Sequence, residues 1–138
     1  MLNAHAEVIA RLNREMRREI GIPLTWYEVL LILYESPTES RRMHELAEAR
    51  VLSRSAATRL VDRLVDAGLV LREEAMVDGR GTNVVMTGEG RSLLRNAGRI
   101  HLDGIARYFG EYVSTEEASV VADVMWRVAE KVRSTEGE

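Results

Sequence analysis

Apolar residues recur at helical spacing along nearly the whole chain, and that rhythm breaks once, between Leu69 and Thr87. There "LVLREEA" and "TNVVMT" read as two strands, joined by "MVDGRG" as a hairpin with a glycine-rich tip. A chain that is helical on both sides of a single hairpin has few architectures open to it. On the N-terminal side, Leu2, Ala6, Ile9, Leu12 (or Asn13), Met16 and Ile20 predict an amphipathic helix over 3–20, stopped by Gly21 and Pro23. Thr25 opens "TWYE", a capping box in which Glu28 reaches back to the Thr25 amide. The helix that follows, to about Tyr34, is apolar nearly all round and therefore buried. "SPTES" reads as a loop and "MHELAEAR" as a short helix.

Ser53 is a good N-cap for a helix running to Ala67, with Gly68 as its left-handed end. Beyond the hairpin, Thr87 caps a long helix with the stripe Leu93, Leu94, Ala97, Ile100, Ile105, Tyr108 and Tyr112. Ser114 and Glu117 form a second capping box, before a last helix carrying Val120, Val121, Val124, Met125, Val128 and Val132. The tail "STEGE" is expected to fray. The expected fold is mainly α with a small antiparallel β-hairpin wing: a winged helix-turn-helix over 24–90, within a single domain over 1–138. The flanks, 1–22 and 91–138, cannot bury their apolar stripes on so small a centre and need each other or a second chain.

Among the 138 residues there is no cysteine, which removes disulfides, thiolate catalysis, thiol redox sensing and cysteine-ligated zinc together. No apolar run approaches the ~20 residues that cross a bilayer, and the N-terminus lacks the basic start and apolar block of a signal peptide. A soluble cytoplasmic protein is expected. The formal net charge is −3, but it is unevenly spread. Residues 41–63 hold six arginines against three acids, whereas 111–138 hold seven acids against Arg127, Lys131 and Arg133. A local anion site is compatible with an acidic total.

The helix from Ser53 to Ala67 sits in that basic region. At about 100° per residue, Ala56, Ala57, Leu60, Val61, Leu64 and Val65 share one arc, and Ser55, Thr58, Arg59, Asp62, Arg63 and Asp66 the other. The first half of the outer face, with Ser53, Arg54, Ser55, Thr58 and Arg59, carries no acid; the second half carries Asp62 and Asp66. Only the first half approaches a polyanion without meeting a carboxylate. That polarity suits a recognition helix entering a major groove by its N-terminal end, where arginine pairs with guanine and hydroxyls bond bases or phosphates. The plainer reading is a wet helix face with Arg59–Asp62 and Arg63–Asp66 as i,i+3 ion pairs. At the hairpin tip, Asp78 lies two residues from Arg80, spaced to orient its guanidinium toward a narrow minor groove. The tip is not a P-loop, since it lacks Gly-Lys-Ser/Thr and no helix begins at its glycines.

The order "LTWYEVLLIL … MHELAEA … LSRSAATRLVDRLVDAGLV … DGRGTNVVMTGEG" resembles the MarR family of bacterial transcription regulators from about Leu24 to Gly90. One departure is "MTGEG", where the family more often has Leu-Thr followed by Glu and a small residue; Met86 still supplies the apolar strand position. The resemblance implies a homodimer on pseudo-palindromic double-stranded DNA, often a repressor, often released by a small phenolic or other aromatic effector. Carried over by position, it implies Ser53, Arg54, Ser55, Thr58 and Arg59 as major-groove readers, with Asp78, Arg80 and Thr82 in the wing. Arg41, Arg42 and His44 become expected phosphate contacts, since the first helix of the pair lies across the backbone. Arg63, between Asp62 and Asp66, reads as an ion-pair partner or a marginal phosphate contact. An effector pocket is expected near Trp26, with Met16 and His101 as further candidates, although aromatic residues at helical spacing usually belong to a core.

The three histidines are scattered, and His44 with Glu48 is a solvated pair rather than a metal site, so no metal or cofactor is expected. No nucleophile–base–orienter set can be assembled, so no enzyme is expected. The competing reading is a winged-helix module that offers the same surface to a protein partner and never binds DNA. The acidic total charge keeps that alternative open; the acid-free half of the helix together with Arg80 argues for DNA.

Overall fold

The computed structural model describes residues 2–50, 52–74 and 81–135. Its elements are α1 (Leu2–Glu19), α2 (Leu24–Tyr34), β1 (Ser40–Arg42), α3 (Met43–Ala49), α4 (Arg54–Asp66), β2 (Val70–Glu74), β3 (Thr82–Met86), α5 (Gly88–Tyr108) and α6 (Thr115–Thr135), with a 3-10 turn at Gly110–Tyr112. They form two compact units, 1–102 and 103–138. Among the described residues no helix is long and apolar enough to cross a membrane.

The first unit is built round α2. Its all-round apolar sequence has the expected result: Leu24, Tyr27, Val29, Leu30 and Leu33 are buried. Leu12 and Met16 of α1 are buried too, Met16 fully. Leu46 of α3 and Ala57, Val61 and Leu64 of α4 close the helix-turn-helix core, and Val70, Val84 and Met86 cover it from the sheet. Each fully buried Leu or Val contributes about 1.5–3 kcal/mol relative to exposure. This burial holds the outer face of α4 in place.

Three details depart from the sequence reading. First, Thr25 is not a cap. Pro23, at φ −65°, takes the capping position and α2 begins at Leu24, whose amide donates to Asn13 Oδ1 at 3.0 Å. Glu28 instead pairs with Arg50 at 2.5 Å, tying α2 to the end of α3. Second, the hairpin is part of a three-stranded antiparallel sheet ordered β1-β3-β2, with Arg41 opposite Val84 and Arg42 opposite Asn83. "SRR" is too short and too polar for a period of two to show. Third, the helix after Thr87 ends at Tyr108, so Tyr112 falls off its stripe and is 78 % exposed.

The remaining caps form as expected. Ser53 Oγ accepts from the Ala56 amide at 3.2 Å, and Gly68 is left-handed at φ +72°. The Ser114 amide donates to Glu117 Oε2 at 2.8 Å, and the Glu117 amide donates to Ser114 Oγ at 3.2 Å. Those bonds hold the Glu117 carboxyl below its ordinary range. In the second unit Val120, Val121, Val124, Met125, Val128 and Val132 are all exposed.

One junction joins the end of α4, the sheet and the start of α5. Thr87 Oγ1 donates to the Gly68 carbonyl at 2.7 Å and accepts from the Gly90 amide at 3.0 Å, while the Thr87 amide donates to the Leu69 carbonyl at 3.1 Å. Gly90 is buried against that same carbonyl. On the other side of β3, the Met86 amide donates to the Glu39 carbonyl at 3.0 Å. Glu39 adopts φ +50°, unusual for a residue with a side chain, and its carboxylate is held by Arg91 of α5. The Arg91 hydrogen bonds draw the Glu39 carboxyl below its usual range.

Candidate nucleic-acid interface

Burial along α4 matches the two arcs expected from its sequence. Ser53, Arg54, Ser55, Thr58 and Arg59 are exposed, as are Asp62, Arg63 and Asp66. The hydroxyls of the first turn differ in what they can still offer. Ser53 Oγ caps the helix and lies 3.3 Å from Ser55 Oγ. Thr58 Oγ1 donates to the Arg54 carbonyl at 2.9 Å, so its lone pairs are what it presents outward. An acceptor of that kind suits the amino group of adenine or cytosine better than a phosphate. The first-turn amides and the helix dipole add a positive end to the same place.

The ion pairing along this face is not that of the plainer reading. Asp62 does not pair with Arg59 but with Arg72 of β2, Nη1 to Oδ1 at 2.6 Å. Among the described residues Arg54, Arg59 and Arg63 have no carboxylate partner. Asp66, the remaining acid on the face, lies roughly 18 Å along the axis from Arg54, more than twice the ~8 Å screening length at physiological salt. The leading half of α4 is therefore both exposed and cationic.

The other expected contacts are distributed around it. His44 is exposed at the start of α3. Arg41 and Arg42 are half-buried in β1, and the Arg42 guanidinium reaches toward Gly81 at the base of the wing. Thr82 is half-buried, opposite Glu74 at the open end of the β2–β3 ladder. Asp78 and Arg80 lie outside the described residues. Of the expected pocket residues, Met16 is fully buried, while Trp26 and His101 are partly so. Sequence reasoning missed Arg72, because its partner is ten residues away across a turn, and it missed Tyr27 as the neighbour of His101.

Tyr27 and His101 pack with ring centroids 4.7 Å apart at 43°, where α2 meets α5. Nδ1 of His101 is buried without a hydrogen-bond partner. Burial pushes the His101 pKa below its ordinary 6.5 and, with Glu35 adding to it, pushes that of Tyr27 up. A histidine whose folded pKa is lowered contributes stability that is complete above the unfolded value and is lost as pH falls through the folded one. The thermal midpoint should therefore fall as pH drops below about 6.5, and His101→Gln should flatten that part of the profile. An unchanged slope in the variant assigns the acid sensitivity to other groups.

A model of the MarR family matches residues 20–81. Among solved structures, Sco3205, a MarR family transcriptional regulator from Streptomyces coelicolor in complex with DNA, is 32 % identical with a TM-score of 0.88, the match covering 94 % of this chain and 81 % of that one. AbsC, a MarR family transcriptional regulator from the same organism, is 27 % identical with a TM-score of 0.89, covering 96 % and 89 %. CouR from Rhodococcus jostii RHA1, bound to p-coumaroyl-CoA, is 26 % identical with a TM-score of 0.81, covering 92 % and 87 %. No curated protein matches the chain.

Proposed function

The chain belongs to the MarR family of transcription regulators, and from that premise we propose that it binds pseudo-palindromic duplex DNA as a homodimer and represses transcription there until a small aromatic effector releases it. The observation that carries this reading is the leading half of α4: exposed, free of acids and held rigidly by the buried Ala57, Val61 and Leu64. Ser53, Arg54, Ser55, Thr58 and Arg59 read the major groove. Asp78, Arg80 and Thr82 form the wing on the flanking minor groove, and Arg41, Arg42, His44 and Arg63 contact phosphates. Residues 24–90 are the DNA-binding lobe, and the flanks, 1–22 and 91–138, pair with a second copy. The uncovered valines of α6 and the exposed Ile9 of α1 support that pairing. Two-fold symmetry sets the half-sites about one helical turn, ~34 Å, apart.

The aromatic effector is supported by CouR, whose p-coumaroyl-CoA carries an aromatic acyl group. In this chain the pocket is assigned to the neighbourhood of Trp26, Met16 and His101. The protein works in the cytoplasm, where its DNA is, and performs no catalytic step.

The test is an operator recovered by selecting bound fragments from genomic DNA, titrated alongside an unrelated duplex. Arg59→Ala should cost ~1–3 kcal/mol on the operator and relax base preference at one position, as expected for an arginine bidentate to guanine. Equal weakening on both duplexes makes Arg59 a phosphate contact. No retention of the wild-type chain on any duplex at low salt supports the protein-partner alternative instead.

A further inference from the structure

Arg72 was not among the residues expected at the interface, yet its guanidinium lies across the outer face of α4. Nη1 pairs with Asp62 Oδ1 at 2.6 Å and Nη2 donates to the Thr58 carbonyl at 3.3 Å. Thr58 and Asp62 are four residues apart, one above the other on the same face. Arg72 reaches them from β2, just beyond the tight turn at Gly68. Its side chain remains 31 % exposed and that of Asp62 51 %, so the pair sits at the surface.

Asp62 is a problem for a DNA-reading helix. It stands about 6 Å along the axis from Thr58, inside the ~8 Å screening length at physiological salt. Left alone, its charge would oppose any phosphate brought up to the middle of α4. We propose that Arg72 is a positioning residue for DNA binding that acts through Asp62: by cancelling this carboxylate it extends the DNA-compatible surface of α4 beyond its leading half. The proposal rests on the reading of α4 as the DNA-facing helix. It assigns the arginine its effect without a bond to DNA. A negative charge that is cancelled contributes nothing to repulsion, so the pair as a whole can be removed where its arginine alone cannot.

Three variants of the full chain test this on a nonspecific duplex at about 0.1 M salt, where one uncompensated charge is worth about tenfold in affinity given a salt exponent of about 0.9 per charge. Arg72→Ala should bind about tenfold more weakly than wild type. Asp62→Asn should bind as tightly or more tightly. The double variant should return to within about twofold of Asp62→Asn, the limit of ordinary additivity. Thermal melts run alongside, and if Arg72→Ala melts early, Arg72→Gln carries the same comparison, since it keeps a donor for the Thr58 carbonyl. Asp62→Asn as weak as Arg72→Ala overturns the proposal in favour of a brace that needs both members. A double variant as weak as Arg72→Ala overturns it in favour of a direct arginine–phosphate contact. Failure of the wild-type chain to bind any duplex overturns the reading of α4 itself, and this inference with it.

Discussion

A chain carrying Val124→Glu and Val128→Glu should sediment as a monomer and bind a two-half-site operator about 10²–10⁴-fold more weakly than wild type, the range lost when two linked contacts become one. Both valines are exposed on α6, one turn apart on the stripe that also carries Val120 and Val132. In one chain their replacement removes no buried contact, so the fold of that chain should survive. At an interface between two copies each glutamate would have to be desolvated without a partner, which is prohibitive. The decisive comparison is with a duplex carrying one half-site, which variant and wild type should bind alike. A variant that stays dimeric and keeps its operator affinity places these valines outside the interface.

Gly90→Val should lower the stability of the chain by about 3 kcal/mol or more, at the upper end of overpacking costs. A helix interior ordinarily gains from losing a glycine, by up to about 1 kcal/mol. Here the sign reverses, because a Cβ at Gly90 would overlap the Leu69 carbonyl oxygen and crowd Met86 Cγ, and that oxygen, just ahead of β2, is held in place by the Thr87 amide. The damage would reach further than the residue itself. The Leu69 carbonyl accepts from Thr87, and Thr87 holds the last turn of α4 through Gly68. Chemical denaturation measures the loss, and operator affinity at a temperature where the variant remains folded measures whether α4 has shifted. Retained stability shows that α5 can slide away from the sheet at little cost.

Much of this architecture can be read from single residues, because a helix end needs one particular atom in one place. Ser53 supplies an acceptor for the Ala56 amide, Thr87 one for Gly90 and Ser114 one for Glu117, and all three form. The two faces of α4 were legible for a related reason, since a fixed turn per residue converts spacing into direction. Thr25 misled because its hydroxyl and Glu28 fit a capping box, while Pro23 and the reach of Asn13 from α1 had already started the helix. Distance along the chain hid the rest. Asp62 had an arginine three residues before it, and nothing local indicates that a strand returning past Gly68 brings a better-placed one. Glu28 and Arg50, or Glu39 and Arg91, are partners only once α2, α3 and α5 have packed.

The short strand β1 has an effect on what the molecule can join. Because it pairs with β3, that strand has neighbours on both sides, and the rims of the sheet are β1 and β2. One rim is three residues long and two of them are arginines; the other ends in Arg72, Glu73 and Glu74. Neither offers the long, uncharged edge that recruits a strand from another molecule. With the sheet closed to growth in this way, the pairing proposed between copies is left to the helices, where side chains rather than backbone choose the partner.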